Sequence, residues 1–407
     1  MPKRTERLIA IGAVAGVVLV PSVLVMLPID VPNPLAAPGQ DPVGDQIPMA
    51  QRTPAKSPTP KPSTSGGAGP QQVGGRPVAT PSEPALKELK GDRGSGKEGD
   101  EAGTRTGPYR TAETGAKVVK VQKTATRQYD VSVQSPALGS TQKVRMLVPP
   151  SWRAGAQRTW PVVYVFHGGN DSYVSWTRST DIASLAARYD VIVAMPEGSN
   201  GSYTDWYNDG KGGIPKWETF HTTEVRQLLE RNFHAGSQRA AMGISSGAQG
   251  AMTYTGRHPG MFKYTAAYSG VLSMLSPGIP SLLMYVNSAR EPKKIWGDPA
   301  LHRSNWVAHD PTSLLAKMRG TRLHVSAGNG KPGPFDPPGK APWDIRYLSE
   351  TQVWRTTQDF VARAKELGVP VTADMYGEGS HTWPYWKREM HKTWPSMMRA
   401  IGAAPVK

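Results

Sequence analysis

Gly243-Ile244-Ser245-Ser246-Gly247 places a serine between two glycines with the spacing of a nucleophile elbow. A serine hydroxyl is a poor nucleophile at neutral pH. It attacks a carbonyl only with a base in hydrogen-bond reach and a third group that orients the base. Small and apolar residues, Ala240-Ala241-Met242, precede the pentapeptide, and a helix-like stretch follows to His258-Pro259-Gly260. That is a strand, a tight turn and a helix. The glycines let backbone, helix and neighbouring strand approach more closely than Cβ atoms would allow. In a chain with 43 glycines the pattern is weak by itself, so the positions of its partners must carry the reading.

With an elbow of this kind the acid comes next in the chain and the histidine last. Of nine histidines, His381 is the best placed. It ends Gly377-Glu378-Gly379-Ser380-His381, after the last expected strand and before the final helix. Asp336, Asp344 and Glu350 all follow the expected strand 323–327, where the acid belongs, and position alone does not choose among them. The anionic tetrahedral intermediate of acyl transfer needs two preorganised N–H donors. Ser246, next after the nucleophile, supplies one. The turn His167-Gly168-Gly169 supplies the other through Gly169. No HExxH, Cys/His cluster or GxxxxGK[ST] is present, so neither a metal nor a phosphate-bound cofactor is expected.

These residues need a scaffold. Segments 128–134 and 142–148 alternate Val with polar residues and read as strands. The continuous apolar run 161–166 suits a strand buried on both faces of a parallel sheet. A helix is expected over 176–189, a strand over 191–195 and an amphipathic helix over 218–233, carrying Val225, Leu228, Leu229 and Phe233 on one side. After the elbow come strands 264–268, 323–327 and 369–375, with helices at 348–367 and 386–401. Segment 271–319, rich in Gly, Pro and Met, breaks the rhythm and reads as an insertion over the sheet. Alternating strands and helices predict a mostly parallel central sheet with helices on both faces.

The rest of the chain has a different character. Lys3, Arg4 and Arg7 precede an apolar run from Leu8 to Leu27, an export signal that fits a cleaved signal peptide and an uncleaved membrane anchor equally well. Residues 38–107 are rich in Pro, Gly, Ser and mixed charge, and are expected to form a disordered tether between segment 1–37 and a catalytic domain over 108–407. All twelve tryptophans lie in that domain, as does nearly all the net charge: 36 Lys/Arg against 22 Asp/Glu, a net of +14 in a chain of net +16. A basic exported domain points to an anionic cell-envelope surface. No nucleic-acid-binding motif accompanies the charge, and no nucleic-acid partner is expected. The absence of cysteine excludes lipoprotein anchoring and disulfides.

The chain resembles the putative-esterase branch of the α/β hydrolases, and within it the secreted actinobacterial mycolyltransferases of the antigen 85 family. The resemblance runs through most of 140–402. It is carried by Ser202-Tyr203-Thr204-Asp205-Trp206-Tyr207, Lys216-Trp217-Glu218-Thr219-Phe220, the elbow with His258-Pro259, Ser269-Gly270, Trp296-Gly297, Asp310-Pro311, Gly328-Asn329-Gly330, and Gly379-Ser380-His381-Thr382-Trp383-Pro384-Tyr385-Trp386. It implies an α/β-hydrolase fold and ping-pong acyl transfer through Ser245 to an acceptor, either water or a sugar or lipid hydroxyl. The family's acid is a glutamate five residues before an Arg-Thr, and Glu350 stands so before Arg355-Thr356. The resemblance therefore implies Glu350.

The chain departs from the family where His167-Gly168-Gly169-Asn170 replaces Asp-Gly-Leu-Arg, whose Asp and Arg help hold trehalose, and it lacks the family's cysteine pair. His167, Asn170, Trp206 and Trp383 are candidate substrate-binding residues, and Trp343 and Trp386 candidate pocket walls. By analogy 271–319 is a lid or acyl channel. A non-catalytic envelope-binding protein on the same fold is the alternative, with either activity secreted or held on the outer face of the cytoplasmic membrane.

Overall fold

Ser245 sits at the end of a strand in the middle of a nine-stranded sheet, ordered β1-β2-β3-β5-β4-β6-β7-β8-β9. The computed structural model describes residues 108–208 and 211–406; the expected export segment and tether lie outside the described residues. The strands are β1 (Lys117–Ala125), β2 (Gln128–Ser135), β3 (Ser140–Leu147), β4 (Trp160–Phe166), β5 (Ile192–Pro196), β6 (Ala235–Ile244), β7 (Tyr264–Tyr268), β8 (Arg322–Ala327) and β9 (Val371–Met375). The first three run antiparallel and β3 joins β5 antiparallel, while β5, β4, β6, β7, β8 and β9 are parallel neighbours.

The apolar run of β4 is buried on both faces, as its composition predicts. Val162, Tyr164 and Phe166 enter one core, and Val163 and Val165 enter the other. This is the period of two that a pleated strand imposes. The first core is closed by the helical segment Trp217–Thr219, Phe220–Val225 and Arg226–Asn232, whose middle turn is π-helical. It buries Phe220, Val225, Leu228 and Leu229. The second core is closed by the final helix, Trp383–Ile401, through Trp386, Met390, Trp394 and Met397. Among the described residues no helix is long and apolar enough to cross a membrane.

Three sequence expectations are revised. The helix expected over 176–189 is two short helices, Ser175–Ser179 and Ile182–Ala186. Between them the extended Thr180 turns its hydroxyl onto Trp176 O and the Ile182 N–H, offering the backbone an alternative to the helix. Strand β1 was not foreseen. It is a mostly exposed edge strand interrupted by Lys117, Lys120 and Lys123, the composition that protects a free edge from mispairing. Strand β6 begins well before the short apolar run read from the sequence. The insertion contains helices Ile279–Val286, Lys293–Trp296, Arg303–His309 and Pro311–Leu314. These enclose a small core of their own around Met274, Ile295, Trp296 and Trp306.

Candidate active site

The turn between β6 and the helix Ser246–Arg257 holds Ser245 at φ 52° and ψ −122°, a left-handed backbone that costs a non-glycine residue of order 1–3 kcal/mol and persists only where its surroundings impose it. They do so here. Ser245 N–H donates to Tyr268 O of β7 at 3.0 Å. A Cβ on Gly243 would lie 2.3 Å from Gly247 O, and one on Gly247 would lie 2.4 Å from His167 O. Both elbow glycines are therefore fixed by close approach, Gly247 against the very loop that carries Gly168 and Gly169.

Strand β9 delivers His381. Its Nε2 stands 2.9 Å from Ser245 Oγ and its Nδ1 2.7 Å from Glu350 Oε2. The ring packs edge-on against Trp386, with centroids 5.0 Å apart. The His381 N–H donates to Arg346 O, and the preceding Ser380, fully buried, gives its hydroxyl to Asp336.

Glu350 projects from the helix Ile345–Glu366 and is completely buried. Its Oε1 accepts from Gly328 N–H at 2.7 Å, Ser269 Oγ at 2.8 Å and Tyr376 OH at 3.3 Å, leaving Oε2 for His381. Trp386 Nε1–H donates to Ser269 Oγ, orienting that hydroxyl toward the carboxylate. Burial, and then the Glu350 charge, pushes the Tyr376 phenol far above its ordinary pKa, so it remains a donor.

The three carboxylates that position left open are separated by what they face. Glu350 meets His381. Asp336 holds Ser380, Tyr385 OH at 2.8 Å and Gly333 N–H at 2.9 Å. Asp344 caps the helix Ile345–Glu366 and pairs with Arg346 at 2.7 Å, whose hydrogen bonds hold its carboxyl down to about 2.

His167 is 1% exposed. Its Nδ1–H donates to Gly168 O at 2.7 Å, and its Nε2 meets Gly198 N–H at 2.8 Å and the Glu197 carboxylate at 3.2 Å. Both ring nitrogens are engaged by the chain, which corrects the expectation that His167 touches substrate directly. Because C=O and N–H of a trans peptide point opposite ways, anchoring Gly168 O to this ring turns the Gly169 N–H away from it. Gly169 itself is exposed, and a Cβ there would lie 3.8 Å from Ser246 Oγ. Gly169 thus stands beside the Ser246 side chain at the elbow.

Of the other candidates, Asn170 is exposed and bonds Asn200 through its N–H at 2.7 Å. Trp206 is half-buried, packed against the insertion, with Nε1–H on Gly201 O at 3.1 Å. Trp383 stands edge-on to Trp176 and Trp386 at the start of the final helix. Trp343 is 67% exposed, whereas Trp386 is buried beneath His381. Nothing in the sequence marks Ser269 or Tyr376 as partners of Glu350, although Ser269-Gly270 is among the residues carrying the resemblance. Among the described residues no His/Cys/Asp/Glu group could hold a metal.

The chain is similar to known proteins. Residues 135–397 match the protein family described as "Putative esterase". The diacylglycerol acyltransferase/mycolyltransferase Ag85A of Mycobacterium tuberculosis is 29% identical over 291 residues, covering 68% of this chain and 82% of that protein. The diacylglycerol acyltransferase/mycolyltransferase Ag85B of Mycobacterium intracellulare is 31% identical over 261 residues, covering 60% and 76% respectively. Among solved structures, Mycobacterium tuberculosis MPT51 (FbpC1) superposes with a TM-score of 0.56 at 23% identity, over 68% of this chain and all of that one. An S-formylglutathione hydrolase from Agrobacterium tumefaciens gives 0.51 at 20% identity, over 70% of this chain and 99% of its own. The two structures bear on fold alone, and the fold is that of the α/β hydrolases.

Proposed function

The chain belongs to the putative-esterase family, and from that premise we propose that it is an exported serine esterase/acyltransferase working through an acyl-enzyme on Ser245. The single observation that carries this reading is the unbroken line of hydrogen bonds Ser245 Oγ–His381–Glu350, at 2.9 and 2.7 Å, on a strained elbow. In the first half-reaction Ser245 Oγ attacks the ester carbonyl while His381 Nε2 takes its proton. The oxyanion is held by the N–H groups of Gly169 and Ser246. Collapse expels the alcohol, which receives the proton from His381, and leaves the acyl group on Ser245. In the second half, water or an acceptor hydroxyl gives its proton to His381 and attacks the acyl-enzyme, restoring the serine. Each oxyanion donor is worth about 10²–10³ in rate.

Diacylglycerol acyltransferase/mycolyltransferase relatives support carboxylic esters of lipids or sugars as the substrate class. Asn170, Trp206 and Trp383 are the side chains proposed to meet them. The basic segment at residues 3–7 and the apolar run after it support export, with the mature protein released or anchored on the outer face of the cytoplasmic membrane, where a basic catalytic domain would sit on an anionic envelope surface. A fluorophosphonate probe tests the core of the reading. Wild type should be labelled at Ser245 and Ser245→Ala should not, with hydrolysis of a p-nitrophenyl ester lost in parallel. Folded wild type that takes no label and turns over no ester would leave the envelope-binding alternative. Adding glycerol or trehalose to a long-chain ester separates transferase from esterase by whether acylated acceptor or free acid accumulates.

A further inference from the structure

The oxyanion loop is bridged to the insertion by a charge. Arg290, at the end of the short helical turn Ser288–Arg290 beyond the apolar helix Ile279–Val286, donates from Nη2 to Asn170 Oδ1 at 2.9 Å. Asn170 follows Gly169 directly. It is locked to Asn200 by two hydrogen bonds, N–H to Asn200 Oδ1 at 2.7 Å and Oδ1 from Asn200 Nδ2 at 3.1 Å. Asn200 Oδ1 in turn lies 3.6 Å from where a Gly169 Cβ would stand. Two neutral amides therefore hold a guanidinium over the loop that faces Ser245.

Among the described residues no carboxylate pairs with that guanidinium. The charged groups around it are paired among themselves: Lys294 with Glu291 at 2.7 Å, Lys293 with Asp298 at 3.5 Å, and Arg178 with Asp171 at 2.7 Å. Arg290's other contact is a long one, 3.4 Å, to the Val286 carbonyl. A guanidinium carries five N–H donors in a planar fork suited to two-point recognition of a carboxylate or phosphate. Most of this fork is unspent.

We propose that Arg290 is a specificity-determining residue that selects esters bearing a carboxylate or phosphate a few bonds from the scissile carbonyl. The proposal rests on the acyl-transfer reading of Ser245 and names the substrate class within it. The chain of amides sets the cation beside the loop that carries Gly169, and a charge-assisted, two-point hydrogen bond from it to a substrate anion is worth about tenfold in rate.

The test compares three chromogenic esters of equal acyl length: neutral p-nitrophenyl valerate, p-nitrophenyl hemiglutarate with the carboxylate on the acyl side, and the valerate of a hydroxynitrobenzoate with it on the alcohol side. The readout is the ratio of kcat/KM for each anionic ester to that for the neutral one, from which a general loss of activity cancels. One anionic arm should fall about tenfold in this ratio in Arg290→Ala and further in Arg290→Glu. It should be largely kept in Arg290→Lys, and the preference should shrink as salt is raised. Which arm responds says which side of the ester the charge belongs on. Turnover with ratios in both arms equal within about twofold across wild type and variants overturns the Arg290 assignment alone. Wild type that turns over none of the three overturns the acyl-transfer reading and this proposal with it.

Discussion

Replacing Glu350 by glutamine should be far more damaging than loss of one charge suggests, because the three donors around Oε1 dictate which way the amide faces. Gly328 N–H, Ser269 Oγ and Tyr376 OH all converge on Oε1. In Glu350→Gln the amide oxygen must take that place, since turning the NH₂ there would set donor against donor in a fully buried site. The NH₂ then faces His381 Nδ1, 2.7 Å away in the native arrangement, and is satisfied only if Nδ1 accepts. That puts the ring proton on Nε2, against Ser245 Oγ at 2.9 Å, where a free lone pair is needed. The side chain is nearly isosteric and the fold intact, but the base is locked in the wrong tautomer. An acid-to-amide change of this kind in another serine enzyme lowers kcat by about 10⁴, or about 5 kcal/mol in the barrier. Glu350→Ala, which leaves the tautomer free, should cost no more than the glutamine does. Steady-state hydrolysis of a p-nitrophenyl ester and the second-order rate of fluorophosphonate labelling measure both, with circular dichroism to verify folding. A folded Glu350→Gln protein within tenfold of wild type would refute the tautomer argument.

Two further outcomes follow from the scaffold. Asp336→Ala removes the acceptor that holds Ser380, Tyr385 and Gly333, so the loop ending in His381 should lose its register. Steady-state kinetics should show kcat down by about 10–100-fold with KM within about twofold, and an unchanged kcat would reduce Asp336 to a surface loop contact. His221 is held between Tyr254 OH and Glu197 O, and burial lowers its pKa from 6.5 to about 4. The unfolded chain therefore binds the proton first as pH falls. Stability is intact above about 6.5 and is lost between there and about 4, by about 3 kcal/mol at most from this group. Urea unfolding across that window should be flatter in pH for His221→Gln, and an equal slope would contradict it. His309, also lowered chiefly by burial, leaves a residual slope of the same sign.

The parallel sheet, the elbow and the position of His381 were legible because each rests on a local rule: apolar runs buried on both faces, glycines where backbones touch, and chain order. Glu350 was not separable from Asp336 and Asp344 by position, yet a signal was present. Tyr347, Glu350, Val353, Thr357 and Phe360 form one buried stripe of a single helix, so a carboxylate stands where a core residue belongs. A buried charge must meet a partner. The supports of Glu350 were beyond reach because Gly328, Ser269, Tyr376 and Trp386 come from separate elements that only the folded sheet assembles. His167 was misread for the opposite reason. A histidine in a glycine turn reads as exposed, whereas here its ring serves as an internal strut.

The sheet order sets a length requirement on one loop. Ser245 leaves β6 and His381 follows β9, with β7 and β8 between them. Three strand spacings amount to about 14 Å. The backbone from Met375 to His381 has about six residues to cross them, an extended reach of about 20 Å before the side chain is counted. The slack in this segment is spent on turns, where Gly377 O and Gly379 O accept from the N–H groups of Asn329 and Gly330. Removing two residues would cut the backbone reach to about 14 Å, so His381 could stand over Ser245 only from a fully drawn-out segment with those hydrogen bonds given up.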